Sequence, residues 1–203
     1  MLAAMLAFPV SAQTEHQKAA GSVNFSKLGT YVPGKLYYKD GKVEEWEGVE
    51  YQNPGDMKKL DNELHFNKPG QIARASVNKD LLDAFEVDNN KWVRIDHEGE
   101  VQFGIAHIEG AIMDYSVFRI PVARVSGDYV EERYIRKLDG EPITNGTFVL
   151  KYKKLIAQLV EDDADLAAKV KNKEKGYKGV LNYAKVLDEY NAWHKEHFPE
   201  LYK

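Results

Sequence analysis

The chain has 203 residues, 43% of them hydrophobic and 30% charged, with a formal net charge of -4 and no cysteine. That balance suits one globular domain, or a small domain with an appendage, and not a disordered chain. It excludes disulfides, thiolate zinc sites and cysteine nucleophiles, and the acidic excess argues against a nucleic-acid partner.

Residues 1–12 are uncharged and mostly apolar, and the small residues Val10-Ser11-Ala12 precede polar Gln13-Thr14-Glu15. This reads as a signal peptide, with the mature chain starting near Gln13, and hence as an exported protein, periplasmic or secreted. The positive segment that usually opens a leader is missing, so the leader reads as truncated at its start. The apolar run falls short of the roughly 20 residues that span a bilayer, so no stable membrane insertion is expected after cleavage. Residues 13–29 read as a loose lead-in.

From 30 to 145 the signals are strands and tight turns. Apolar and aromatic residues flank Asp40-Gly41 in "KLYYKDGKVEEW", which predicts a hairpin with a two-residue loop. "KWVRIDHEGEVQFGIAHI" repeats the pattern around Glu98-Gly99, and its second half alternates with period two. "YSVFRIPV" and "DYVEERYIRK" follow, with Asp139-Gly140 as a third turn. Shorter strands are expected at "ELHF", "QIARA" and "DAFEVD", punctuated by Asn53-Pro54-Gly55 and Lys68-Pro69-Gly70. Turns at this rate predict an antiparallel β meander, as an open sheet, sandwich or partial barrel.

The period changes near 147, and residues 146–203 read as three helices packed on the β region. Phe148, Tyr152, Leu155, Ile156 and Leu159 share one helix face. Asp162 to Asp165 resembles an N-cap opening a short helix through Leu166 and Val170, with Gly176 as its stop. The third helix is expected from Lys178 to His197, with a stripe of Val180, Tyr183, Ala184, Leu187 and Tyr190. Lysines crowd 151–178 but alternate with Glu161, Asp162, Asp163, Asp165 and Glu174, as on a solvated helix surface. The fold class is therefore α+β.

Three features carry a resemblance: Tyr38 to Gly41, Asp162 to Leu166, and the closing Tyr190, Asn191 and Trp193. In this order the chain resembles a family of uncharacterised exported proteins from Gram-negative bacteria. The resemblance covers most of the mature chain. It implies export and the β-then-helical architecture, and it brings no activity with it.

The first candidate site is His194 and His197, with Glu196 and Asn191 nearby. A zincin helix places two histidines four apart with glutamate directly after the first. Here the spacing is three, and Lys195 stands where that glutamate belongs. A zinc site needs three or four ligands, so His65, His97 or His107 would have to join. The competing reading is a helix end, with His194 on the packing stripe after Leu187 and Tyr190. No cofactor is expected. Serines are few, none lies in Gly-x-Ser-x-Gly, and the Ser76-x-x-Lys79 letters read as a turn between strands. The third candidate is the acidic-aromatic hairpin "VEEWEGVEY". Trp46, Glu45, Glu47 and Tyr51 can form a ligand-binding surface, and paired carboxylates around Trp46 can work on sugars. Its competitor is a strand with one wet face and Trp46 in the core. His107, closing an apolar strand face, reads as a core histidine that can sense pH. The expected function is an exported, non-enzymatic binding or interaction protein for a protein or glycan of the cell envelope. The alternative is a carbohydrate-binding protein or glycan-active hydrolase using the hairpin around Trp46.

Overall fold

A computed structural model describes residues 25–67, 74–119 and 129–202. The expected leader, most of the lead-in and the Lys68-Pro69-Gly70 turn lie outside the described residues. Ten strands follow in chain order: β1 Tyr31–Tyr38, β2 Val43–Glu50, β3 Glu63–Asn67, β4 Arg74–Asn78, β5 Leu82–Val87, β6 Asn90–His97, β7 Glu100–Ile108, β8 Ile112–Arg119, β9 Val130–Lys137 and β10 Ile143–Thr144. They form one open antiparallel sheet in the order β10-β9-β8-β7-β6-β5-β1-β2-β3-β4. Two meanders, β1–β4 and β5–β10, are thus joined along β1 and β5, with Leu36 opposite Phe85. The short helix α1 spans Pro54–Lys58. Four helices close the chain: α2 Asn145–Leu150, α3 Tyr152–Leu159, α4 Ala164–Lys171 and α5 Tyr183–His197. The α+β class and the antiparallel order of the sheet match the sequence pattern.

The turns follow their chemistry, with one difference. Glu98 and Gly99 both take positive φ, as a two-residue loop that follows the strand twist requires. At Asp40-Gly41 only Gly41 does. The loop is longer there: Gly41 N–H bonds to Tyr38 O, and Tyr38 N–H to Lys42 O. A further two-residue turn, Asp88-Asn89, joins β5 to β6 with both residues at positive φ.

One sheet face carries two cores. Leu36, Phe85, Trp92, Phe103 and Phe118 meet Met57 of α1 in the first. Ile108, Ile112 and Ile135 meet Phe148, Ile156, Leu166, Leu187 and Tyr190 of the helices in the second. Between them lies a polar seam. Arg133 grips Asp114 with two bonds of 2.7 and 2.6 Å, and the Tyr183 hydroxyl donates to the same carboxylate at 2.7 Å. The opposite face carries Ala84, Val93, Ile95, Tyr115, Val117 and Tyr134. Side chains of β6 and β8 close over β7 because Gly104 stands between them. A Cβ there would collide with Ile95 and lie 2.6 Å from the Ser116 carbonyl.

The helices depart from the sequence pattern in detail. The expected first helix is two, α2 and α3, interrupted at Lys151: its N–H closes α2 on Thr147 O, and its carbonyl accepts from Lys154 and Leu155 as α3 begins. The cap of α4 is Asp163, which accepts from Leu166 N–H at 3.0 Å, not Asp162. Asp162 instead bonds Lys137 at 2.8 Å and the Tyr190 hydroxyl at 2.7 Å. Helix α4 ends at Lys171, and Lys173 takes the left-handed conformation just beyond, three residues before Gly176, which also has positive φ. Helix α5 begins at Tyr183, after a 3-10 turn over Val180–Asn182.

The closing Tyr-Asn-x-Trp segment locks these helices to the sheet. Asn191 accepts the Ile112 N–H at 2.8 Å and donates to the Ile112 and Glu109 carbonyls at 2.9 and 3.2 Å. It thereby satisfies the backbone of the β7–β8 turn. Gly110, at φ 143°, passes so close that any Cβ would strike the Asn191 amide. An unmet buried donor or acceptor here would cost about 1–3 kcal/mol each.

Lys79 is fully buried, and its ammonium donates to the Asp56 carbonyl of α1. Burial drives its pKa down to about 8, against the pull of the Asp56, Asp61 and Glu50 charges. The unfolded chain keeps this proton up to about pH 10.5, so burial is most costly below pH 8 and the cost fades as pH rises between the two values. The stability of the native sequence relative to Lys79→Met is therefore predicted to rise by about 3 kcal/mol from pH 8 to 10.5. Parallel urea titrations of the two proteins measure this, and a constant difference would contradict it.

Candidate functional site

The hairpin ends after β5, β7 and β9 lie together, and α5 with the final turn Pro199–Tyr202 crosses beside them. An open groove of about 1170 Å³ runs there, with Val93, Ala106, Ile108 and Met113 as apolar lining and Lys195, Leu201 and Tyr202 on the helical side. A second recess of about 400 Å³ is lined by Gly34, Lys35, Glu45, Trp46 and Glu47. The two share Glu86 and Asn89, so they are contiguous.

The strand registers explain the polar floor. Glu45 pairs with Lys35, Lys35 with Glu86, and Glu86 with Lys91 across β2, β1, β5 and β6. The result is a row of alternating charge on one face. Lys35 meets Glu45 at 2.5 Å, and Lys91 meets Glu109 at 2.8 Å. Tyr37 donates to Glu86 at 2.7 Å, and Lys91 sits 5.1 Å above its ring. Burial and the Glu86 carboxylate hold the Tyr37 proton in place, so this hydroxyl stays a donor at any physiological pH.

The hairpin residues divide between the faces. Glu45 and Glu47 reach the recess. Trp46 lines it too, but its ring packs on Phe66 with centroids 4.4 Å apart, and its Nε1 donates to Glu44 at 3.3 Å. Glu44 also takes the Tyr38 hydroxyl and Lys42. The Lys42 contact holds its carboxyl below the usual range, the wrong direction for a general acid. Tyr51 is 1% exposed and packs in the first core, bordering a different recess with Gln52, Asn53 and His65. The cause is a β-bulge: Val32 and Gly34 of β1 face Val49 and Trp46 of β2, and the extra residue shifts the alternation so that Val49 and Tyr51 turn inward.

The histidines do not converge. His194 is buried on the packing face and shares a 2.9 Å hydrogen bond with the Tyr202 hydroxyl. It thus fixes the turn that walls the groove. His197 donates to the Trp193 carbonyl at 2.8 Å and stacks on that ring. His65 is bonded to Glu50 at 2.5 Å, and His97 to Tyr115 at 3.0 Å. Among the described residues no three metal-ligating side chains group together. Ser76 sits on β4 opposite His65, while the buried Lys79 donates to the Asp56 carbonyl of α1.

His107 belongs to the seam. Ser116 donates its only proton to Glu131 at 2.6 Å, so it accepts from His107 Nε2 at 2.7 Å. The other ring nitrogen, Nδ1, is then a bare acceptor, and it is buried without a partner among the described residues. No catalytic serine results, because Ser116 is itself fully buried. The sequence reading missed this seam and the charge row, since both join residues from distant strands.

Comparison with protein-family models, curated proteins and solved structures finds no match to this chain.

Burial, then the Arg133 charge, lowers the His107 pKa, with Asp114 and Glu131 opposing. The unfolded chain therefore takes up this proton first as pH falls through about 6.5, and stability drops in that window. From pH 7 to 5.5 the native protein is predicted to lose up to about 1 kcal/mol more than His107→Gln. Equal losses in matched denaturant titrations would remove the role.

Proposed function

We propose that this chain is an exported, non-enzymatic binding protein whose ligand lies along the stripe from the Trp46 recess to Tyr202. The observation that carries this reading is the continuity of the two recesses through Glu86 and Asn89. An elongated ligand, a glycan or an extended peptide of the cell envelope, has apolar contact at Ala106 and Met113. It also has alternating hydrogen-bond partners in Glu45, Lys35, Glu86 and Lys91. Such a mixture of apolar surface and few placed polar groups is usual for ligand sites. Export rests on the leader-like residues 1–12 and on the family resemblance. Among the described residues no helix is long and apolar enough to cross a membrane. The acidic balance supports a partner other than nucleic acid.

A carbohydrate at the Trp46 end is the second reading, favoured by the carboxylates Glu45, Glu47 and Glu86 around one aromatic. Hydrolysis is the weaker form of it, because Glu45 is engaged by Lys35 and Glu86 by the Tyr37 hydroxyl.

Thermal-shift screening with oligosaccharides and with short peptides is the test. A ligand found this way is predicted to bind at least tenfold more weakly to Lys91→Ala and to Trp46→Ala, since each removes one end of a shared site. A ligand indifferent to both variants, or no ligand in either panel, sinks the reading.

A further inference from the structure

We propose that two copies of this chain pair along the free edge of β4, in a two-fold antiparallel dimer that runs their sheets into one. Among the described residues β4 ends the sheet and pairs with β3 alone. The other end of the sheet is guarded. There β10 has two residues and passes straight into α2, and the stretch of β9 beyond it carries Glu131, Glu132 and Arg133. β4 lacks such guards. It runs Arg74-Ala75-Ser76-Val77-Asn78 without proline, and no bulge breaks its register with β3. Its one charge is turned away: the Arg74 guanidinium lies 5.5 Å from the centre of the Tyr31 ring on β1, back over its own sheet.

The register says which backbone groups are free. The Lys79 N–H bonds to the Asn62 carbonyl at 2.9 Å, one step beyond the Glu63–Asn78 pair. Bonding alternates along an antiparallel pair, so Val77 and Ala75 turn their backbone groups to β3. The N–H and carbonyl groups of Arg74, Ser76 and Asn78 then point out from the edge. The same three residues are exposed. This spacing is self-complementary. Turned about an axis at Ser76, the edge sets Ser76 opposite its own copy and Arg74 opposite Asn78, with no like charges facing. Ala75 comes to lie beside Val77 of the second copy, and the apolar face of the first core continues across the join. The contact is one short strand on each side, so the dimer is weak and reversible. No residue of β4 lines the groove or the Trp46 recess, so the proposal is independent of the groove ligand.

Sedimentation velocity of the full chain over a concentration series is the first measurement. Monomer should pass to dimer as concentration rises. Ser76→Pro should weaken the dimer at least tenfold, because each copy loses a hydrogen bond at the axis, while the pairing with β3 and the circular dichroism spectrum stay native. The chain has no cysteine, so single thiols report the register, and they do so even if the proline variant fails to fold. Two Ser76→Cys chains would stand about 5.5 Å apart at Cα and join readily through a short bismaleimide. Two Asn78→Cys chains would be offset by about 14 Å along the strand and join far more slowly. A chain that stays monomeric up to its solubility limit would overturn the proposal. So would a dimer indifferent to a folded Ser76→Pro, or equal crosslinking at the two positions.

Discussion

The Asn191 side chain is where the sheet and the helices become one body. A β-hairpin end exposes backbone groups that water must satisfy if nothing else does. Here one amide does so, taking the Ile112 N–H and returning bonds to the Ile112 and Glu109 carbonyls. The contact demands a bare backbone at Gly110. It also sets the height and rotation of α5. Val186, Leu187 and Tyr190, which precede Asn191 on that helix, then fall into the second core.

The groove is a consequence of this docking. With α5 pinned on the β7–β8 turn, its last turns overhang the sheet, and the His194–Tyr202 bond brings the final turn alongside. The wall is therefore built from the tail, while the floor is built from the charge row of β2, β1, β5 and β6. The join between the two meanders at β1 and β5 makes that row continuous. Small residues on β7 let the opposite face bend until β6 and β8 side chains touch. Fold and site thus share causes: a hairpin clamp, one non-local strand pair and a glycine at a crowded position.

Much of the local structure was legible. Glu98-Gly99 is readable because both loop positions take positive φ, which few residue pairs tolerate. The His194 stripe is readable because helical spacing after Leu187 and Tyr190 leads to it. Asp88-Asn89 escaped, although Asn and Asp are the residues after Gly best suited to that conformation. The inward turn of Val49 and Tyr51 has no signal in a period-two pattern, because one extra residue at a bulge reverses every face beyond it. The site was legible only in part. Glu45, Glu47 and Trp46 do reach a recess, but Glu86, Lys91 and the tail residues come to it through pairings that span the chain. Their signal in the sequence was the spacing of strands, not any motif.

Native-state hydrogen exchange on the native protein and on Asn191→Ala tests the dependence on this clamp most directly. The account predicts that the Ile112 amide is among the slowest in the native protein. In the variant it should exchange at least a hundredfold faster, as expected when a buried bond worth about 3 kcal/mol is lost. Amides of α5 should accelerate with it, while those of β1 and β5 keep the ranking that global unfolding sets. An Ile112 amide and an α5 that exchange at native rates in the variant would contradict the account.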